Sequence, residues 1–181
     1  MRSERKAVFL DRDGTLIEDV GILKDFKDIH IFPQTIPALQ KLQPRFELFV
    51  VTNQTWVSRG GLSLEEAERI NKELHRVFLN HGITIREWYV CPHSKEEGCE
   101  CRKPEAGFLL QAAEQYGLEL EGSFIIGDHP HDVITGRSLG VRGLYLLTGH
   151  GRKHLHELEP DELIFTHIGE VADWILKHPD V

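Results

Sequence analysis

KAVFLDRDGTL, residues 6–16, is the stretch from which the fold is read. Its first half, Lys6 to Leu10, is a short apolar run without polar alternation, the pattern of a strand covered on both faces. It breaks at once into Asp11-Arg12-Asp13-Gly14-Thr15, so a buried strand ends in paired carboxylates. Open α/β sheets bind their ligands at strand ends of this kind.

The same pattern recurs along the chain. Glu47 to Thr52, Glu87 to Val90, Ser123 to Ile126 and Gly143 to Leu147 are further strand-length apolar runs, and Leu163 to Phe165 reads as a short edge strand. Helix-period segments lie between them. Ser63 to Asn80 carries a stripe of Ala67, Ile70, Leu74, Val77 and Phe78, opens on a Ser63/Glu66 capping box and stops at Gly82. Pro104 to Gln115, Asp132 to Leu139 and Ile168 to Leu176 are predicted helices as well. Alternation at this pitch predicts an α/β fold with a doubly wound parallel sheet, in one domain over residues 1–181. Residues 16–33 are too long for an ordinary strand-to-helix loop. Val20 to Lys24 and Ile29 to Phe32 are expected to pair there as a hairpin flap beside the first strand.

Polar residues gather where the predicted strands end. Thr52-Asn53-Gln54 follows the second, Arg102-Lys103 lies beyond the third, and Gly127-Asp128 with Asp132 follows the fourth. Taken singly, each has a plain reading as a turn, a strand end, a helix cap or a solvated charge. Taken together they make a phosphate chemistry. Asp11 and Asp128, on adjacent strand ends, repel each other unless a cation lies between them, and hard oxygen ligands suit Mg²⁺. One carboxylate can then attack phosphorus, and the aspartate two residues on can reach the leaving oxygen. Thr52 and Lys103 are donors suited to phosphoryl oxygens.

Composition narrows the partners. The chain has 29 acidic against 21 basic residues, a net charge of −8, which argues against nucleic acid and fits a protein that holds divalent cations. No apolar run approaches the roughly 20 residues of a membrane helix, and the apolar stretch near the N-terminus is too short for a secretory leader. A cytoplasmic monomer acting on a small phosphorylated molecule is expected. In a reducing compartment thiols stay free. All three cysteines nonetheless crowd into Cys91, Cys99 and Cys101, with His93 among them. Cys₃His is a closed tetrahedral Zn²⁺ set, expected to be structural because it leaves no position for water. The loop over 91–101 is otherwise polar and has little to bury, so a zinc tie would hold it and fix where Arg102 and Lys103 point.

DRDGTL (Asp11 to Leu16), VTNQ (Val51 to Gln54), RKP (Arg102 to Pro104) and GDHPHD (Gly127 to Asp132) together resemble the haloacid dehalogenase (HAD) superfamily of phosphohydrolases, over essentially the whole chain. The resemblance implies that Asp11 is the nucleophile of an aspartyl-phosphate route and Asp13 the general acid and base. Thr52 and Lys103 would hold the phosphoryl group, and Mg²⁺ would be bound by Asp11, the Asp13 carbonyl and Asp128. The Cys-x-His and Cys-x-Cys-Arg-Lys-Pro elements, with VTNQTWVSRG and LLTGHG, resemble the capless branch (subfamily IIIA) containing the D-glycero-D-manno-heptose-1,7-bisphosphate 7-phosphatases and histidinol-phosphatases. By that likeness Asp19, Gly21, Asn53, Gln54, Arg59 and Arg102 would contact substrate. Two positions depart from the branch: Ile22 stands where tyrosine is frequent, and His129 where lysine or arginine follows the aspartate. The expected activity is removal of the 7-phosphate from the heptose bisphosphate. The alternatives are histidinol phosphate as substrate, or a non-catalytic zinc-stabilised binding domain. The presence of Asp11, Asp13, Lys103 and Asp128 together speaks for the enzyme. Asp132, His129, His131 and His150 receive no role from the sequence.

Overall fold

The structure, a computed structural model, describes residues 5–178. Residues 1–4 and 179–181 lie outside them. β1 (Arg5–Leu10) is completely buried from Ala7 onward, and its side chains divide between two cores. Val8 and Leu10 enter one hydrophobic cluster, and Ala7 and Phe9 the other. That two-residue alternation with both sides apolar is why the strand reads as an unbroken hydrophobic run.

The strands β2 (Glu47–Asn53), β3 (Ile85–Cys91), β4 (Leu118–Gly127), β5 (Arg142–Leu146) and β6 (Leu163–Phe165) join β1 in one sheet ordered β3-β2-β1-β4-β5-β6, every pair parallel. On one face α1 (Thr35–Leu42), α2 (Leu64–Asn80) and α6 (Ile168–Lys177) bury Leu39, Leu74 and Val171 against Val8, Val50 and Ile126. On the other, α3 (Gly107–Tyr116) buries Leu109 and Ala112 against Phe9 and Phe49. Two short helices, α4 (Pro130–Thr135) and α5 (Gly151–His154), follow β4 and β5. The chain builds outward from β1 to β3, then returns to β4 on the other side. The order therefore reverses between β1 and β4, and a crevice opens at their carboxyl ends. No helix among the described residues is long and apolar enough to cross a membrane.

The doubly wound sheet and the Ser63/Glu66 capping box appear as expected. Four local expectations are corrected. The flap closes through an antiparallel bridge between Ile17 and Ile31, with Glu18 N–H donating to His30 O at 2.8 Å; Val20 to Lys24 is not a strand. Leu16 and Ile17 are fully buried and take the paired position, while Gly21, at φ +76°, turns the chain away behind them. The helix expected from Pro104 starts at Gly107, because Glu105 N–H closes a turn on Arg102 O first. The helix expected over 132–139 breaks at Gly136, whose missing side chain leaves room for Val141: a Cβ there would lie 2.4 Å from that of Val141. β4 starts five residues before its expected Ser123. The added segment, Leu118–Gly122, has a half-polar pattern and ends in a register shift at which Ser123 Oγ accepts from Ala7 N–H at 2.9 Å.

Candidate active site

Asp11 is the first residue beyond β1, and its N–H still donates to Ile126 O of β4 at 2.9 Å. Asp128 is the first beyond β4. The two carboxylates therefore flank the switch point, as their strand-end positions require. A third, Asp132, reaches them from the first turn of α4, and one oxygen of each lies within 4.8 Å of the others. Close approach depends on two glycines. A Cβ at Gly14, where φ is +82°, or at Gly149 would lie 2.1 Å from Asp128 Oδ2. His150 N–H donates to that oxygen at 2.6 Å and holds it in place.

Lys103 enters this group from the loop before α3 and is only 3% exposed. Its three ammonium protons are all used: Asp132 Oδ1 at 2.6 Å, Asp11 Oδ1 at 2.7 Å and Val51 O at 2.7 Å. Burial alone would lower the Lys103 pKa, but the two carboxylates outweigh it and raise it, so the lysine stays charged. Burial pushes Asp11 up to about 7, against the pull of Lys103 and with a further push from Asp132 and Asp13. Burial, then Asp11 and Asp132, push Asp128 up to about 8. Three carboxylates and one ammonium sum to −2 formal charges (−3 + 1), which one divalent cation neutralises. The donor set thus fits Mg²⁺, with oxygen ligands from Asp11 and Asp128. Asp132 is already engaged by Lys103 and, through Oδ2, by His129 N–H at 3.0 Å.

Asp13 is aimed separately. The fully buried Arg12 donates to both its oxygens, at 2.8 Å for Nη2 to Oδ2, and Gln54 Nε2 donates to Oδ2 at 2.8 Å. Arg12 is itself indexed by Asn71 of α2 at 2.8 Å. Gln54 Nε2 also donates to Thr52 Oγ1 at 2.8 Å, which leaves the Thr52 hydroxyl proton available for an anion.

An open cleft of about 390 Å³ connects these groups, and Asp11, Asp13, Thr52, Gln54, Lys103 and Asp128 all line it. Asp19, Gly21, Asn53 and Arg102 do too. Arg59 is not among the lining residues; its guanidinium lies over the Trp56 ring, 5.7 Å from the centroid. Asn53 spends its amide on the backbone of Lys103, accepting from its N–H and donating to its carbonyl, both at 3.1 Å. Sequence reasoning assigned no role to Asp132, His129, His131 or His150, all of which line the cleft, and did not consider Thr55 or Trp56. For Asp132 a signal existed in its place four residues beyond Asp128, at the start of a helix. His150 Nε2 meets Asp19 Oδ2 at 3.0 Å and ties the flap to the loop after β5. Burial, with His131 alongside, lowers the pKa of His129 to about 4, so it is neutral at ordinary pH.

Beside the cleft, Cys91, His93, Cys99 and Cys101 converge. The Cys101 sulfur lies 3.3 Å from Cys91, 3.4 Å from Cys99 and 3.3 Å from His93 Nδ1; Cys91 lies 3.6 Å from both Cys99 and His93 Nδ1. Zinc bond lengths of about 2.3 Å to sulfur and 2.0–2.1 Å to nitrogen give tetrahedral edges of about 3.5–3.8 Å; the observed separations match or fall a few tenths of an ångström inside these, and three thiols with one imidazole are a donor set that metal takes. The thiols are free, and crowding spreads their ionisation. Cys99 is lowered to about 7 by hydrogen bonds that outweigh its burial, whereas burial and its two neighbours push Cys101 far up. Arg102 Nη1 donates to the His93 carbonyl at 3.1 Å and to Thr55 Oγ1 at 2.7 Å, so the loop's shape is carried to a cleft residue.

A doubly wound sheet whose switch point holds two strand-end carboxylates and a buried lysine defines a class of phosphoryl-transferring hydrolases. Comparison with known proteins narrows it. A profile of the HAD-hydrolase-like family matches residues 100–171. A D-glycero-beta-D-manno-heptose-1,7-bisphosphate 7-phosphatase of Helicobacter pylori is 32% identical over 177 residues, covering 97% of this chain and 99% of that one. A probable D-glycero-D-manno-heptose-1,7-bisphosphate 7-phosphatase of Thermoplasma acidophilum is 36% identical over 138 residues, covering 75% and 86%. The crystal structure of D,D-heptose 1.7-bisphosphate phosphatase from B. bronchiseptica, complexed with magnesium and phosphate, superposes with a TM-score of 0.87 at 27% identity, covering 96% and 99%. The chain belongs to the HAD-like phosphatases and is a phosphoric monoester hydrolase.

Proposed function

We propose that the protein is a Mg²⁺-dependent phosphomonoesterase working through a phosphoryl group carried on Asp11, and that its substrate is D-glycero-D-manno-heptose 1,7-bisphosphate, losing the 7-phosphate. The observation that carries the reading is the grouping of Asp11, Asp128, Asp132 and Lys103 at one switch point, one divalent cation short of neutrality. The relatives' names supply the substrate.

In this reading the free oxygen of Asp11 attacks phosphorus, while the Thr52 hydroxyl donates to an equatorial oxygen and the positive charge of Lys103 offsets the charge that gathers on the others. Asp13, held between Arg12 and Gln54, protonates the leaving sugar oxygen. It then takes a proton from the water that cleaves the acyl phosphate, which releases phosphate and restores Asp11. When bound, Mg²⁺ supplies charge neutralisation between the attacking carboxylate and the phosphoryl oxygens. Asp11, Asp128 and the Asp13 carbonyl would hold it. Zn²⁺ on Cys91, His93, Cys99 and Cys101 would be structural, keeping Arg102 in place through His93. The substrate side of the cleft falls to Arg102, Asp19 and Gly21.

The test is a screen of sugar monophosphates, sugar bisphosphates and histidinol phosphate, ranked by kcat/KM with and without Mg²⁺. The heptose bisphosphate should rank first, and every rate should require Mg²⁺. A histidinol phosphate preference would overturn the substrate, and Mg²⁺-independent release would overturn the metal role.

A further inference from the structure

Trp56 is out of place in its surroundings. Every other side chain lining the cleft is an acid, an amide, a hydroxyl, an imidazole, Arg102 or Lys103, and Gly21 has none; Trp56 is the one apolar body among the described residues there. It is 39% exposed and belongs to neither hydrophobic core.

Its position is nevertheless built. The residue sits two beyond Gln54, the side chain that aims Asp13. Its carbonyl accepts from Gly61 N–H at 2.9 Å and Leu62 N–H at 3.1 Å, which fixes the turn that carries the ring. The Arg59 guanidinium lies over the indole, 5.7 Å from its centroid. Gly61 leaves the space in which the ring meets the flap: a Cβ there would stand 3.2 Å from Trp56 Cε3 and 3.1 Å from Ile22 Cδ1. A large aromatic surface thus stands on the wall of a polar cleft that also holds the groups that act on phosphate.

A ligand that needs such a wall has one flat apolar face and polar edges. A pyranose ring has both: axial C–H bonds on a face that can lie on indole, and hydroxyls around the rim for Asp19, Arg102 and the cleft imidazoles. We propose that Trp56 is a specificity-determining residue, a stacking platform that selects phosphate esters of ring-form sugars over open-chain ones. The assignment rests on the phosphomonoesterase reading above and adds to it the side chain that recognises the sugar ring.

The test has two arms. In the first, kcat/KM is measured for a pyranose sugar phosphate and for glycerol 3-phosphate, with the wild type, Trp56→Phe and Trp56→Ala, each checked for an unchanged circular dichroism spectrum. The ring-to-open-chain ratio should fall on the order of tenfold in Trp56→Ala and be largely kept in Trp56→Phe, since a phenyl ring still stacks. An unchanged ratio in Trp56→Ala overturns the proposal. The second arm needs no turnover. Tryptophan fluorescence of the Asp11→Asn protein is followed as the same pyranose phosphate is added with Mg²⁺. The chain has three tryptophans, so the change should vanish in Asp11→Asn/Trp56→Phe. Its persistence there, or its absence in Asp11→Asn, also overturns the proposal. Failure of the wild type to hydrolyse either ester would strike the phosphomonoesterase reading instead, and the fluorescence arm would still decide the role of Trp56.

Discussion

Replacing Asp132 by asparagine isolates the group that holds Lys103. Asp132 accepts two hydrogen bonds, one per oxygen: from Lys103 at 2.6 Å and from His129 N–H at 3.0 Å. Asparagine has a single acceptor oxygen, so Asp132→Asn must give up one of the two. If the helix cap is kept, an amide N–H₂ faces the ammonium, and Lys103 is left to Asp11 and Val51 O. The lost bond is charge-assisted, worth about 1.5–3 kcal/mol. In a chain of this size that lowers Tm by about 3–12 °C. If the same energy is withheld from the transition state, kcat/KM falls about 10- to 150-fold. The fall should lie mostly in kcat, because Lys103 then follows Asp11 instead of facing the incoming phosphoryl group. The assay is phosphate release under saturating Mg²⁺ alongside thermal melting. A variant with a lowered Tm but kcat/KM within about twofold of wild type would refute the reasoning and leave Asp132 as a helix cap alone.

Other consequences are equally direct. Cys99→Ser should lose zinc and reduce turnover about tenfold through Arg102, which hangs on the His93 carbonyl, with Mg²⁺ affinity by calorimetry unaltered; full activity in a zinc-free variant would contradict this. Without metal, Asp11 and Asp128 titrate at about 7 and about 8, far above the ordinary 3.8, so the folded state binds more protons than the unfolded one between about pH 4 and 8. Metal-free stability therefore declines as pH rises through that window. The Mg²⁺-induced gain in Tm should be larger at about pH 8 than at about pH 5, and an equal gain at both would count against those carboxylates as ligands. Gly14→Ala combines a φ of +82° with a Cβ 2.1 Å from Asp128 Oδ2. Calorimetry should show Mg²⁺ affinity at least about tenfold weaker.

Much of this was legible in the chain, for reasons that differ by segment. β1 is legible because burial on both faces leaves Ala7 to Leu10 wholly apolar, and its end is legible because two aspartates follow it at once. Asp128 and Lys103 followed from the same logic of strand ends. What stayed hidden depends on side chains meeting across long separations. Arg12 is adjacent to a catalytic candidate and looked like part of a turn, yet its partner Asn71 is 59 residues away on α2. The likeness makes Asn53 a substrate contact, but its amide reads the Lys103 backbone 50 residues on. Arg59 was assigned to substrate by likeness, whereas the fold lays it on Trp56. The first half of β4 was missed because Leu118–Gly122 alternates in polarity and bends at Gly122, so it lacks the apolar run by which the other central strands declare themselves.

The central claim is that phosphate passes through the carboxylate of Asp11, and it can be tested by trapping that species. The protein is mixed with Mg²⁺ and a turned-over sugar phosphate, quenched in acid within the first turnover, digested and examined by mass spectrometry. A phosphoryl adduct on Asp11, absent without Mg²⁺ and absent in Asp11→Asn, is the predicted result. Turnover with no adduct at any time point, or an adduct on a different residue, would contradict the account.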